Sequence, residues 1–185
     1  MKLHYLPIGL NLNRKKVVVV GGGKVAARKT CKLLSAGAMI TVRSPVLCPI
    51  LKELSDSGMI AHQNRRFTPD VIGNADLIIA ATSSREVNAK VSILAHEKNI
   101  PVCVVDDPFN SDFVFLATSS FGDFTIAIST DGNDPGISSR IREVVEDHKI
   151  EFITRVISGK RQQVKKEKDG KVYIVGAGPG NPELL

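Results

Sequence analysis

The sequence predicts an α/β fold: a parallel sheet with helices on both faces, then a small α+β region and a C-terminal helix. Three observations predict it. Short Val/Ile runs without polar alternation recur, which suits strands buried on both faces. Segments with helical spacing lie between them, several closed by Gly. A glycine triplet follows the first run directly. Alternation of strand and helix yields parallel neighbours, because each return to the sheet crosses over through a helix.

The elements follow in order. Residues 16–20 are the first strand, a run of Val ending at Gly21-Gly22-Gly23. Residues 24–36 are helical, with Val25, Ala26, Leu33 and Leu34 available for an inner face and Gly37 as the stop. Residues 39–42 form a second strand, 45–57 a helix ended by Gly58, and 60–64 a weak third strand. Residues 77–81 form a buried strand, 86–98 a helix, and 101–105 a final Val-rich strand. After Asp107-Pro108 the pattern changes. Residues 113–117 and 124–129 read as short strands separated by a turn at 119–123. The alternation of Phe124, Ile126 and Ile128 with Thr125, Ala127 and Ser129 fits a half-covered antiparallel strand. Asp134 followed by Pro135 is helix-start chemistry. A helix is expected over 137–148, extending toward 157, and then a charged linker over 165–171. The expected domains are 1–112, 113–150, a helical extension 151–168, and 169–185 as a linker with the opening of another domain.

Composition narrows the function classes. The chain has 185 residues, 43% of them hydrophobic, which suits a soluble protein with a sizeable core. No run of about 18 apolar residues exists to span a membrane, and the N-terminus lacks a signal peptide's apolar core. The net charge of +6 favours an anionic partner. No aromatic-rich basic strand suggests nucleic acid. Three dispersed cysteines (Cys31, Cys48 and Cys103) read as reduced thiols of a cytoplasmic protein, without zinc spacing.

The strongest motif is Val17-Val18-Val19-Val20-Gly21-Gly22-Gly23-Lys24-Val25-Ala26. It satisfies G-x-G-x-x-A directly after a strand and opening a helix, the signature of a Rossmann-like dinucleotide site. Gly21 permits the tight turn, Gly23 lets the backbone approach a pyrophosphate, and Ala26 permits close helix packing. The usual acidic residue at the end of the second strand is missing. Arg43 stands there instead and leaves NADP open beside NAD. No Tyr-x-x-x-Lys pair exists, and the four histidines form no metal spacing. The best acid/base candidate is Asp106, at the carboxyl edge of the last parallel strand, where open α/β sheets bind ligands.

An ordered set of motifs resembles the precorrin-2 dehydrogenase/sirohydrochlorin ferrochelatase module of siroheme synthase. The set comprises Leu6-Pro7, Val19 to Lys29, Ala80-Ala81-Thr82, Val87-Asn88, Val104 to Pro108, and Ile126 to Gly132 with Pro135. It covers roughly residues 3–150. A further stretch, 170–185, resembles the opening of a uroporphyrinogen-III C-methyltransferase domain; alone it is expected to lack methyltransferase activity. It is expected to be mobile, or to be ordered on a neighbouring chain's sheet edge.

The resemblance implies NAD-dependent oxidation of precorrin-2 to sirohydrochlorin, Fe²⁺ insertion to give siroheme, and a homodimer. It puts Asp106 on the catalytic aspartate, which would also take protons during chelation; no residue is fixed as a metal ligand. Gly21, Gly22, Gly23, Lys24, Val25, Pro45, Val46 and Thr82 fall at the cofactor, and Ser129 at the substrate. Arg140 and Arg142, on the helix after Ser129, are candidates for holding substrate carboxylates. Cys103 departs from the Asn common in the family. Two other readings share the glycine motif: a non-catalytic redox sensor and a reductase of another small molecule.

Overall fold

Val17, Val19 and Val20 are essentially inaccessible to solvent, as an unalternating Val run requires, and with Lys16 and Val18 they form β1 (Lys16–Val20). In this computed structural model, residues 4–121, 124–131, 135–151, 154 and 174–176 are described. They fall into two units, Leu10–Val114 and Met1–Gly9 with Phe115–Leu185.

In the first unit, β1 is followed by α1 (Lys24–Ser35), β2 (Met39–Arg43), α2 (Pro49–Asp56) and β3 (Ala61–Gln63). A 3₁₀ turn at Pro69–Ile72 leads to β4 (Leu77–Ala80), α3 (Arg85–Glu97) and β5 (Val102–Val104). The strand order is β3-β2-β1-β4-β5 and every pair is parallel. The chain leaves β1 toward one edge and returns beside it as β4, so the sheet has a switch point between β1 and β4. The expected Rossmann-like parallel sheet is borne out. Val18, Val20, Ile78, Ala80, Val102 and Val104 pack with Val91 and Ala95 of α3 and Ile72 of the 3₁₀ turn. The helix α1 buries Ala26, Ala27, Thr30 and Leu33.

One helix starts later than its sequence suggests. Residues 45–48 precede α2 rather than opening it. Ser44 Oγ donates to the Val46 carbonyl at 2.7 Å and turns the chain there, and Pro49, not Pro45, takes the first helical turn.

In the second unit, β6 (Ala117–Phe121) and β7 (Phe124–Ile128) form an antiparallel pair. Residues 113–116 precede the strand, and Ser119 to Phe121, expected as turn, are paired. Register explains the shift: Ser120 lies opposite Thr125, and their hydroxyls meet at 3.1 Å. The helix α4 (Pro135–Asp147) follows; its expected cap Asp134 lies outside the described residues. So do the linker 165–171 and nearly all of the extension 151–168. A third strand, β8 (Ile174–Gly176), pairs antiparallel with β7 of the same chain. For these three residues the expectation of mobility or of docking on a neighbouring chain is corrected, because they take the edge of β7 in their own chain; the rest of 170–185 lies outside the described residues. Among the described residues no helix is long and apolar enough to cross a membrane.

Candidate functional site

The glycine turn is locked from two sides. Gly21 has φ +126°, a conformation side chains rarely adopt. A Cβ there would collide with the Ala81 carbonyl after β4, and one at Gly22 would collide with the Val46 carbonyl before α2. Gly21 N–H donates to Arg43 O at 2.9 Å, and Cys48 N–H donates to Gly22 O at 2.7 Å. Close packing within the protein therefore accounts for both glycines.

Gly23 differs. Its φ of −86° is open to any residue, and a Cβ there would meet nothing within 4 Å. The space in front of it adjoins the start of α1. That end has no side-chain cap and no acidic residue in its first turn, so its leading N–H groups and positive dipole end suit an anion. Open space at Gly23, at a helix start without competing carboxylates, leaves room for a dinucleotide pyrophosphate.

The other expected cofactor residues surround this turn. Lys24 and Val25 are exposed in the first turn of α1, and Pro45 and Val46 are exposed on the loop that contacts Gly22. Thr82 follows the Ala81 that contacts Gly21. Arg43 is placed otherwise: it is 9% exposed. It lines a cleft of about 740 Å³ with Lys16, Val18, Met39, Thr41 and Asn74, a cleft that includes no residue of the glycine turn.

Asp106 lies two residues beyond β5 and is held by α3. Asn88 Nδ2 donates to Asp106 Oδ1 at 2.8 Å. Asn88 Oδ1 accepts from Thr82 N–H at 3.1 Å and from Thr82 Oγ1 at 2.7 Å. Arg85 Nε lies 3.7 Å from Asp106 Oδ2, with the arginine side chain 90% exposed. One network thus joins the β4–α3 loop, the first turns of α3 and the loop after β5, at the carboxyl edge of the sheet. Asp107 turns elsewhere, its carboxylate accepting from the Phe109 and Asn110 N–H groups.

Sequence reasoning gave Asn88 no role and did not single out Arg85. A signal for Asn88 existed: it shares the helical stripe of Val91, Ser92 and Ala95, all buried, so a polar residue sits on an inward face. Arg85 carried no such mark, since an exposed Arg at a helix start has no periodicity to break. Behind the site, Cys103 is buried on β5. Burial pushes its thiol up to about 11, and the charge of Lys29 opposes that rise. The Lys29 amine is lowered, mainly by burial, while Cys103 acts to raise it. Among the described residues, no three His, Cys, Asp or Glu cluster as a metal site would require.

The remaining expected residues belong to the second unit. Ser129 Oγ accepts from Asp131 N–H at 3.1 Å, and Asp131 also meets His4 Nδ1 at 3.2 Å. Arg140 is exposed on α4. Arg142 turns along α4, its Nη1 donating to both Glu146 carboxylate oxygens at 2.9 Å.

Several known proteins resemble this chain. Residues 8–117 match the model of the NAD_binding_7 family, described as NAD(P)-binding. The chain is 34% identical over 230 aligned positions to the siroheme synthase of Pseudoalteromonas translucida (strain TAC 125), covering 99% of this chain and 49% of that protein. The siroheme synthase of Gluconobacter oxydans (strain 621H) is 31% identical, with 98% and 49% covered. The chain thus spans about half the length of the curated relatives it matches. A solved structure, "SirC, precorrin-2 dehydrogenase", superposes with a TM-score of 0.70 at 25% identity, covering 87% of this chain and 84% of that one. With residues 8–117 matching that family and a strand, glycine turn and helix lying within them, this chain belongs to the NAD(P)-binding family, and its likeness runs to siroheme synthases, as its motifs implied.

Proposed function

We propose that the chain oxidises precorrin-2 to sirohydrochlorin with NAD, and that it goes on to insert Fe²⁺ into the product. The observation that carries this reading is the Asp106 carboxylate, fixed at the sheet edge that also bears the glycine turn. The names of the relatives, siroheme synthase and precorrin-2 dehydrogenase, support the choice of substrate.

A nicotinamide dinucleotide held at Gly21 to Ala26 supplies the acceptor for a hydride, meaning one C–H bond breaks and its electron pair leaves with hydrogen. This chain's residues do the rest. Gly23 and the N–H groups opening α1 hold the pyrophosphate, and exposed Val25, Pro45 and Val46 offer apolar surface beside it. Asp106 takes the proton that leaves the macrocycle as the hydride departs. In chelation two pyrrole N–H protons leave as Fe²⁺ enters as substrate, and the same carboxylate takes them one at a time, passing each to solvent. NAD is favoured over NADP because Arg43 is buried in its own cleft, while a 2′-phosphate needs an accessible cation. Precorrin-2 is a polycarboxylate, and the +6 charge suits it. Ser129 and exposed Arg140 are its proposed holders; Arg142, already engaged by Glu146, is the weaker one. The protein works in the cytoplasm as a homodimer built through residues 113–157, whose described strands and helix cover little apolar surface alone.

The test is an absorbance series with purified protein, precorrin-2 and NAD, with and without Fe²⁺. Conversion to sirohydrochlorin, then to siroheme when iron is present, is expected. Asp106→Asn should slow dehydrogenation by about 10²-fold or more. A folded Asp106→Asn protein with normal turnover in both steps would refute the assignment. NAD binding without any turnover by the parent protein would leave a redox sensor as the reading.

A further inference from the structure

We infer that Asn88 is a positioning residue that biases Asp106 to exchange its proton at Oδ2. The inference rests on the reading of Asp106 as the base.

The argument begins with the amide's orientation. A backbone N–H can only donate, so the Asn88 atom facing Thr82 N–H at 3.1 Å must be the oxygen. The Thr82 hydroxyl donates to the same oxygen at 2.7 Å. The other end of the amide is then NH₂, and its two partners are the Thr82 carbonyl at 3.2 Å and Asp106 Oδ1 at 2.8 Å. An NH₂ group has no lone pair to offer. A proton on Asp106 Oδ1 would compete with that donor for the oxygen's lone pairs. Oδ1 is therefore the poorer proton acceptor of the two, and a proton arriving from substrate is better accommodated at Oδ2.

Burial gives this force. Asn88 is 1% exposed, so no water replaces a lost partner, and an amide buried without one is costly. Asp106 has 30% of its side chain open, and its Oδ2 faces Arg85. Of the charged groups on the elements packed here, Arg85 of α3 lies nearest, 3.7 Å from Oδ2, while Asp107 is engaged with the turn after it. The Arg85 guanidinium stands where a carboxylate of a polyanionic substrate can dock.

Asn88→Asp keeps the shape, and its Oδ1 still accepts from Thr82. Its second oxygen would meet Asp106 Oδ1, and two carboxylates at that distance share a proton. The acid limb of the pH profile of kcat/KM for precorrin-2 should move to higher pH by about one unit or more. Asn88→Ala removes the donor; it should move the limb in the same direction by less, and lower kcat by about 10-fold while KM changes little. NADH binding by fluorescence identifies folded variants. A purely structural role for Asn88 would lower the yield of folded protein and leave the limb in place. With Asp106→Asn inactive, an unmoved acid limb in whichever Asn88 variant binds NADH overturns the positioning role alone. Full turnover by Asp106→Asn overturns the reading of Asp106, and this role with it.

Discussion

Gly23 and Gly22 are neighbours with opposite explanations, and substitution separates them. Gly23→Val fits the backbone and meets no protein atom nearby, so it should fold, melt near the parent temperature, and lose NAD binding in calorimetry. Gly22→Ala drives a methyl into the Val46 carbonyl and should destabilise the fold by about 1–3 kcal/mol in urea unfolding. Equal NAD affinity in Gly23→Val would remove the pyrophosphate from this turn. The same scale governs the cysteines. Cys103, its thiol raised to about 11 by burial, should resist iodoacetamide at pH 8 in the folded protein, since the thiolate is the reactive form. Exposed Cys31 should be alkylated, and peptide mass spectrometry distinguishes the two. The glycine motif and Asp106 were legible because each sits at a fixed offset from a strand end. The grip of Asn88 on Asp106 joins residues 18 apart in sequence, and no local pattern encodes that contact.

At the level of elements, β1, β4 and β5 were legible because burial on both faces leaves only Val, Ile, Leu, Ala and Cys in their central positions, while β2 carries half-buried Thr41 at its centre between buried Ile40 and Val42. Their boundaries followed less well wherever a side chain redirected the backbone. Ser44 did so before α2, and the pairing of β6 with β7 decided which of two plausible segments became strand. Antiparallel pairing is a relation between segments, so Phe113 to Leu116 looked as strand-like as the Ser119-Ser120 stretch looked turn-like. The start of α3 carries its own prediction. Ser84 caps it, its hydroxyl accepting from Val87 N–H at 3.3 Å. Ser84→Ala should cost about 1 kcal/mol of stability in urea unfolding. Because Asn88 lies one turn further along the same helix, fraying there should also lower turnover. Unchanged stability would mean that the 3.3 Å contact contributes little.

For the molecule as a whole, β8 changes what deletion of residues 170–185 should do. Its three residues occupy the edge of β7. Removing them uncovers a row of unpaired N–H and C=O groups, a template for further strands. The shortened protein should still bind NADH, because the glycine turn belongs to the other unit. Light scattering should find it more prone to assemble beyond the proposed dimer. An unaltered size distribution would mean that the β7 edge is protected by something other than β8. The glycine turn has a different consequence on heating. Contacts after β2 and β4 already hold it, so little chain ordering is left to oppose binding, and the free energy of cofactor capture passes into resistance to melting. At a hundredfold excess over Kd that is worth about 2.7 kcal/mol. The gain belongs to residues 10–114, which carry the cradle. In a calorimetric scan NADH should therefore raise the unfolding transition of that unit, a thermal shift that reports cofactor occupancy without any substrate present.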